Sequence, residues 1–239
     1  MEKTKFNPAE PKEVAREVFE ENKSIIDQFA ERYSQEILEF SEGFSHAYRQ
    51  FRQFDRITAN DERAAYVAGL IFALLDNLLV SMKLLVAGHL IPSGNLMRQA
   101  TESTAVAILC SSKEKVVVQG KKGKRKVINY FNHFKSGSSV AQSSKALNQL
   151  ELNKAALGIR DDAIEKLKAA RKFYHQYSHP SMLSLGVTIS HISPNIFFMG
   201  GSFDEGKIEA YQKEIKHRIG FSHILPNLID ALFNILKPA

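Results

Sequence analysis

Arg171, His175, Ser178 and His179 fall on one broad stripe of a helical projection, with Lys172 and Tyr174 beside it. A guanidinium, two imidazoles and a hydroxyl on one stripe can bind an anion, position a phosphate, or move protons. The stripe is expected near a helix C-terminus, where the negative end of the dipole favours protonated imidazole. His175 and His179 stand four apart and could share a metal. Gln176 stands where the His-Glu-x-x-His pattern has its glutamate, so no metal and no cofactor is expected. The structural alternative is a helix end capped by stacked aromatics.

A second pair lies upstream. Between Lys83 and Lys113 the only formal charges are Arg98 and Glu102. Four residues apart, they project from one helix face, and Ala105 and Leu109 continue that face in apolar side chains. The pair is therefore expected to face protein. It would be a satisfied ion pair that fixes helix packing, or part of a polar pocket to which Asp76 and Lys83 contribute. Arg98, Glu102, Tyr174 and His179 together could line a small-molecule site.

A third candidate is electrostatic. Lys121, Lys122, Lys124, Arg125 and Lys126 fill five of six positions and account for most of the net charge of +6. Such a cluster attracts phosphates without reading sequence. Tyr130, Phe131, His133 and Phe134 follow it and could stack on bases, although aromatics at this spacing also serve as core. Gly120-Lys121-Lys122-Gly123-Lys124 lacks the spacing of a phosphate loop, and no Gly-x-Ser-x-Gly elbow occurs. Gly200-Gly201 before a helix could admit an anion or simply make a tight turn. Cys110, the single cysteine, lies in an apolar run, which excludes an intrachain disulfide and predicts a buried thiol.

The elements that must position these groups are mainly helical. Val14, Val18, Ile25, Phe29, Tyr33, Ile37 and Phe40 recur at helical steps and predict one amphipathic helix over Pro11 to Phe40. Gly43 either breaks it or is tolerated. Thr58 or Asn60 could cap the apolar helix Ala64 to Ala87, and Ser93 the helix Asn95 to Ser111. Ile128 to Phe134, Val140 to Leu157 and Asp161 to Tyr177 are expected helices, the last ended by Pro180. The period then changes. Leu183 to Ser190 and Ile196 to Met199 predict two strands around a Ser193-Pro194-Asn195 turn. Ser202-x-x-Glu205 spells a capping box for a C-terminal helix that Pro226 should kink or restart.

The expectation is thus one mainly α domain over 1–239. It comprises a helical arm at 1–57, a core bundle at 61–179, a hairpin at 183–200 and C-terminal helices at 202–237, with about seven helices in all. With 239 residues and 44% apolar content, the chain can bury a sizeable core. The polar, charged start and the charges Asp76 and Lys83 within 64–91 argue for a cytoplasmic chain without a membrane span.

Two stretches resemble a group of uncharacterised bacterial helical proteins. One runs from Leu78-Leu79-Val80-Ser81-Met82-Lys83 to Gly88, followed by Arg98-Gln99-Ala100-Thr101-Glu102. The other is Tyr174 to His179 with the Met199-Gly200-Gly201 turn. That group in turn resembles the HEPN helical bundles, many of which are metal-independent RNases of toxin or defence systems. The resemblance implies Glu102 as the acid, and Arg171 with His175 or His179 as the Arg/His pair. Three residues separate Arg171 from His175 and seven separate it from His179, either side of the family's Arg-x(4–6)-His spacing. Read from the residues themselves, the binding candidates for RNA or a phosphate-bearing ligand are Arg98, Tyr174 and Ser178 together with the basic cluster. The alternative is a non-enzymatic protein whose partner is a second copy or another chain.

Overall fold

Apolar side chains at three- and four-residue steps build the long helices, and the crossings of those helices make the core. The computed structural model describes residues 7–19, 22–120, 123–193 and 195–238, and is 73% helical. In chain order come α1 (Pro11–Phe19), α2 (Lys23–Phe51), α3 (Glu62–Val86), α4 (Leu90–Ser111), the strands β1 (Val116–Gln119) and β2 (Arg125–Ile128), then α5 (Tyr130–Lys135), α6 (Ser143–Asn153), α7 (Asp161–His175), α8 (Met182–Thr188) and α9 (Ile208–Leu236). The mainly α bundle with a small two-stranded hairpin is as expected. The predicted helices are present, the first in two pieces, and α8 is additional.

Four long helices carry the framework. α2 packs along α9, α3 packs along α4, and α3 also meets both α2 and α9. On its other side α4 receives α6 and α7. Being covered on two sides, α4 buries residues around most of its circumference, including Glu102, Thr101 and Thr104. The α2–α9 crossing passes at Gly43, where an added Cβ would lie 2.5 Å from the Ser222 hydroxyl. Gly43 is therefore a point of close approach inside a continuous helix. α3 and the stretch Glu205–Leu236 are long and apolar enough to cross a membrane by length and composition. In this fold each turns a buried row of side chains into the core.

Caps and breaks differ in detail from expectation. Asp61 caps α3, its carboxylate accepting from the Ala64 amide at 3.0 Å. α4 begins at Leu90, with Pro92 in the first turn, where a missing N–H does no harm. Ser93 is therefore inside the helix, and its hydroxyl donates to the Ser81 carbonyl on α3 at 2.7 Å. α9 runs through Pro226 as one helix. The Ser202–Glu205 capping box is absent. Asp204 accepts from the Gly206 amide instead, at 3.0 Å, and Glu205 pairs with Arg32 at 3.2 Å.

The hairpin is not at 183–200 but at 116–128. Val116 pairs with Ile128 and Gln119 with Arg125, antiparallel, and the turn closes through Gly120 N–H to the Lys124 carbonyl at 2.8 Å. Leu183 to Thr188, expected as a strand, is α8. Ser181 caps it, accepting from Ser184 N–H at 3.1 Å while the Ser184 hydroxyl accepts from Ser181 N–H at 2.8 Å. Leu183 and Val187, four apart, then turn to the core. A short run that alternates at two can also satisfy a step of four, and here the cap and the core decide. All that remains of the predicted pairing is one Ile189–Phe197 bridge. Pro194 of the predicted turn lies outside the described residues.

Candidate functional site

The candidate groups separate into three places. On α4, Arg98 Nε meets Glu102 Oε1 at 3.0 Å, with side chains 21% and 10% exposed. This is the protein-facing pair the spacing predicts. Asp76 and Lys83 are exposed on α3 and contribute nothing to a polar interior.

At the end of α7 the predicted stripe fans out. Arg171 turns to α6, where its guanidinium donates to Asn148 Oδ1 at 3.1 Å and to the Ser144 carbonyl at 2.7 Å. His175 and His179 are exposed, their ring centroids 4.7 Å apart. The Ser178 hydroxyl donates to Asn95 Oδ1 at 2.6 Å and so fastens this turn to α4. Tyr174 points the other way, into the core. Arg171 and His175 share an open cleft of about 510 Å³ with Leu147, Asn148, Lys168 and Lys172. Glu102 is not among the groups that line it. Among the described residues no hydrogen bond or ion pair joins Glu102 to Arg171, His175 or His179.

Of the basic cluster, Lys124 stands just before β2, and Arg125 and Lys126 are its first two residues. Lys124, Arg125 and Lys126 are exposed, while Lys121 and Lys122 lie outside the described residues. Of the expected stacking aromatics, Tyr130 and Phe131 are buried, and Phe131 packs edge-on against Tyr66 at 5.5 Å, while His133 and Phe134 are half-buried. Asn153 of α6 hydrogen-bonds the hairpin, which also packs on that helix. Asn153 Oδ1 accepts from Val117 N–H at 2.8 Å, and its amide donates to the Val117 carbonyl at 2.7 Å. That docking creates a second cleft of about 200 Å³, lined by Gln119, Gly120, Lys145, Asn148, Gln149 and Leu152. Asn148 lines both clefts. Through Asn148 the two clefts make one strip that reaches the hairpin at Gln119 and Gly120, with Lys145, Lys168, Arg171, Lys172 and Glu165 as its charged lining; Lys168 holds Glu165 at 3.4 Å and Glu151 at 2.9 Å.

A further buried polar cluster, centred on Arg218 of α9, was not among the sequence candidates. Arg218, fully buried, donates to Glu214 Oε2 at 2.7 Å, to the Ser81 hydroxyl at 3.1 Å and to the Ser93 hydroxyl. Glu214 also accepts from the hydroxyls of Tyr174, at 3.2 Å, and Tyr177. Burial drives both phenols far above their ordinary range, so they remain donors. Beside them, burial of the His217 ring holds its pKa below the usual imidazole value, against the pull of Glu214. The i,i+4 spacing of Glu214 and Arg218 was visible in the sequence. It did not stand out there, because α9 carries other charges at the same density.

A second buried pair holds the segment that follows α8. Lys207 Nζ lies 3.6 Å from Asp204 and donates to the Val187 carbonyl at 2.7 Å. Desolvation lowers the Lys207 pKa. Burial alone would raise the Asp204 carboxyl. The amides of His191 and Gly206 and the Lys207 charge outweigh it, and the pKa falls below the ordinary value. Gly201 forms no anion nest, since a Cβ there would strike the Ala87 carbonyl at 2.0 Å. Cys110 is buried, its thiol pushed up to about 12 by desolvation. Among the described residues no three His, Cys, Asp or Glu side chains gather into a metal-binding group.

No protein-family model matches the chain, and neither a curated protein nor a solved structure does.

Proposed function

We propose that the chain binds the phosphate backbone of RNA along the strip from the hairpin tip to the end of α7. The observation that carries this is the pair of adjoining clefts that meet at Asn148 and run from Gln119 and Gly120, where the Gly120 N–H meets the Lys124 carbonyl, to Arg171, Lys172 and His175. Arg171 is held flat against α6 by two hydrogen bonds. It therefore presents a fixed positive edge, and the neighbouring lysines act as mobile point charges. The resemblance of Arg171 and His175 to the HEPN Arg/His pair favours RNA as the polymer. Glu102 is engaged with Arg98 and lines neither cleft, so the reading is binding, with His175 the one imidazole placed to act if cleavage follows.

The test is fluorescence anisotropy with a mixed-sequence single-stranded RNA across a salt series. Affinity should fall with salt at a slope of about 0.7 per phosphate contacted. Replacing Lys124, Arg125 and Lys126 together by alanine, or Arg171→Ala alone, should weaken binding and flatten that slope. Equal affinity in wild type and both variants would remove the proposal. Gel inspection of the same RNA, with and without chelator, decides between binding and cleavage. Loss of intact RNA that is restored in His175→Ala would return the chain to the enzymes.

A further inference from the structure

From Ala64 to Val86, α3 is apolar nearly all round, and the monomer covers one side of it. Its buried row packs on α4, α2 and α9, yet only 39% of its most apolar stretch is buried. On the outer side lie Ala65, Tyr66, Phe72, Ala73 and Leu79, with Phe72 and Leu79 53% and 46% exposed. The outer side of an ordinary surface helix carries its charges, and a helix apolar on all sides is a buried one. Between Ala65 and Ala87 the only charges are Asp76 and Lys83. Both are exposed, and neither is ion-paired among the described residues. The apolar surface continues onto α2, since the Phe72 ring lies 6.0 Å from Phe51, and Phe51 lies 5.9 Å from the exposed Tyr48.

The placing of the two charges selects what covers this face. Seven residues apart, Asp76 and Lys83 stand on one line along the helix, and Leu79 and Val80 lie midway, one to either side of that line. With a second α3 set antiparallel across a twofold axis at that midpoint, Asp76 of each copy faces Lys83 of the other, and Leu79 faces Val80. A parallel pair would set Asp76 against Asp76 and Lys83 against Lys83. The face is thus complementary to its own antiparallel image, which is the requirement of a closed twofold interface. Residues 72–87 make a contact ~22 Å long. With Tyr48 and Phe51 at its margin, this reaches the low end of specific interfaces, ~600 Å² per partner, so the dissociation constant is expected in the micromolar range. A bilayer suits the face less well, because it would carry both charges into hydrocarbon without partners.

We infer that the chain forms a twofold homodimer through the outer face of α3, with the two helices antiparallel. The inference does not rest on RNA binding, since none of these residues lines either cleft of the strip.

Sedimentation velocity on the full chain over a concentration series tests it, with circular dichroism confirming that each variant keeps its helix content. Wild type should pass from monomer to dimer. Asp76→Lys sets lysine against lysine, and Lys83→Asp sets aspartate against aspartate, so each alone should weaken dimerisation by ~30-fold or more. The double variant, D76K with K83D, exchanges the charges and should return the affinity to within ~3-fold of wild type. Mixed in equal amounts, the two single variants should form a heterodimer. A wild type that stays monomeric to ~100 μM overturns the inference. So does a dimer that the single reversals leave unchanged, or one that they weaken and the double variant fails to restore. Flotation of the monomer with phosphatidylserine vesicles would also overturn it, by assigning the face to lipid.

Discussion

His217 shows how one side chain can carry a pH response. The residue is exposed overall, but its ring packs edge-on to Phe173 at 5.3 Å and Tyr174 at 6.1 Å, and its Nδ1 lies 3.3 Å from the Tyr174 hydroxyl. Burial is the largest influence and lowers its pKa from 6.5. Lys213 and Arg218 lower it further, while Glu214 opposes them. The folded chain therefore resists a proton that the unfolded chain accepts. Where the unfolded state binds more protons, stability rises with pH. The His217 contribution is whole above its folded and unfolded pKa values and declines as pH falls through 6.5. Thermal unfolding across about pH 7.5 to 5.5 should accordingly show a smaller acid-side loss of Tm in His217→Gln than in wild type. Parallel profiles for the two proteins would refute this.

At the scale of elements, the hairpin and α8 are the instructive cases. β1 and β2 form an isolated two-stranded ladder, which is marginal in water unless packed. One attachment is Asn153, whose side chain completes the backbone pairing of Val117 from α6. Asn153→Ala leaves that amide and carbonyl without partners in a half-buried position, which costs about 1–3 kcal/mol. Hydrogen exchange should show the Val117 amide losing protection ahead of the α3–α4 core. Unchanged protection at Val117 would show that packing of Val116 and Val118 suffices. α8 illustrates the opposite case, a run of ambiguous period settled by the Ser181–Ser184 cap at one end and the Lys207 ammonium on the Val187 carbonyl at the other.

At the scale of the whole molecule, Arg218 binds the framework together. Its guanidinium joins α9 to Ser81 of α3 and Ser93 of α4, and through Glu214 to the tyrosines at the end of α7. Removing one member of a buried pair leaves the other charge uncompensated. Arg218→Ala should therefore lose about 3–5 kcal/mol in urea unfolding. Arg218→Lys should rescue little, because an ammonium cannot span three acceptors in the plane of a guanidinium. The double variant Arg218→Met with Glu214→Gln should cost less than the two single changes combined, as coupled neighbours do. Additive losses would mean that the two side chains act separately.

The sequence by itself determined the helical class, the faces of the long helices, and the Arg98–Glu102 pair. All of these follow from a 3.6-residue period acting within one element. It also located the basic cluster, because charge composition is local, and the buried thiol of Cys110, because its apolar neighbours are adjacent in the chain. The tertiary structure decided the rest. Whether Arg171 would turn toward Glu102 or toward Asn148 depends on which helix covers α7, and no spacing within α7 records that. The choice between strand and helix at Leu183–Thr188 depended on a core that only later residues complete. The Arg218 network joins side chains 137 and 125 positions apart. Periodicity specifies which side of an element seeks burial, whereas the partner that buries it is chosen by packing among distant segments.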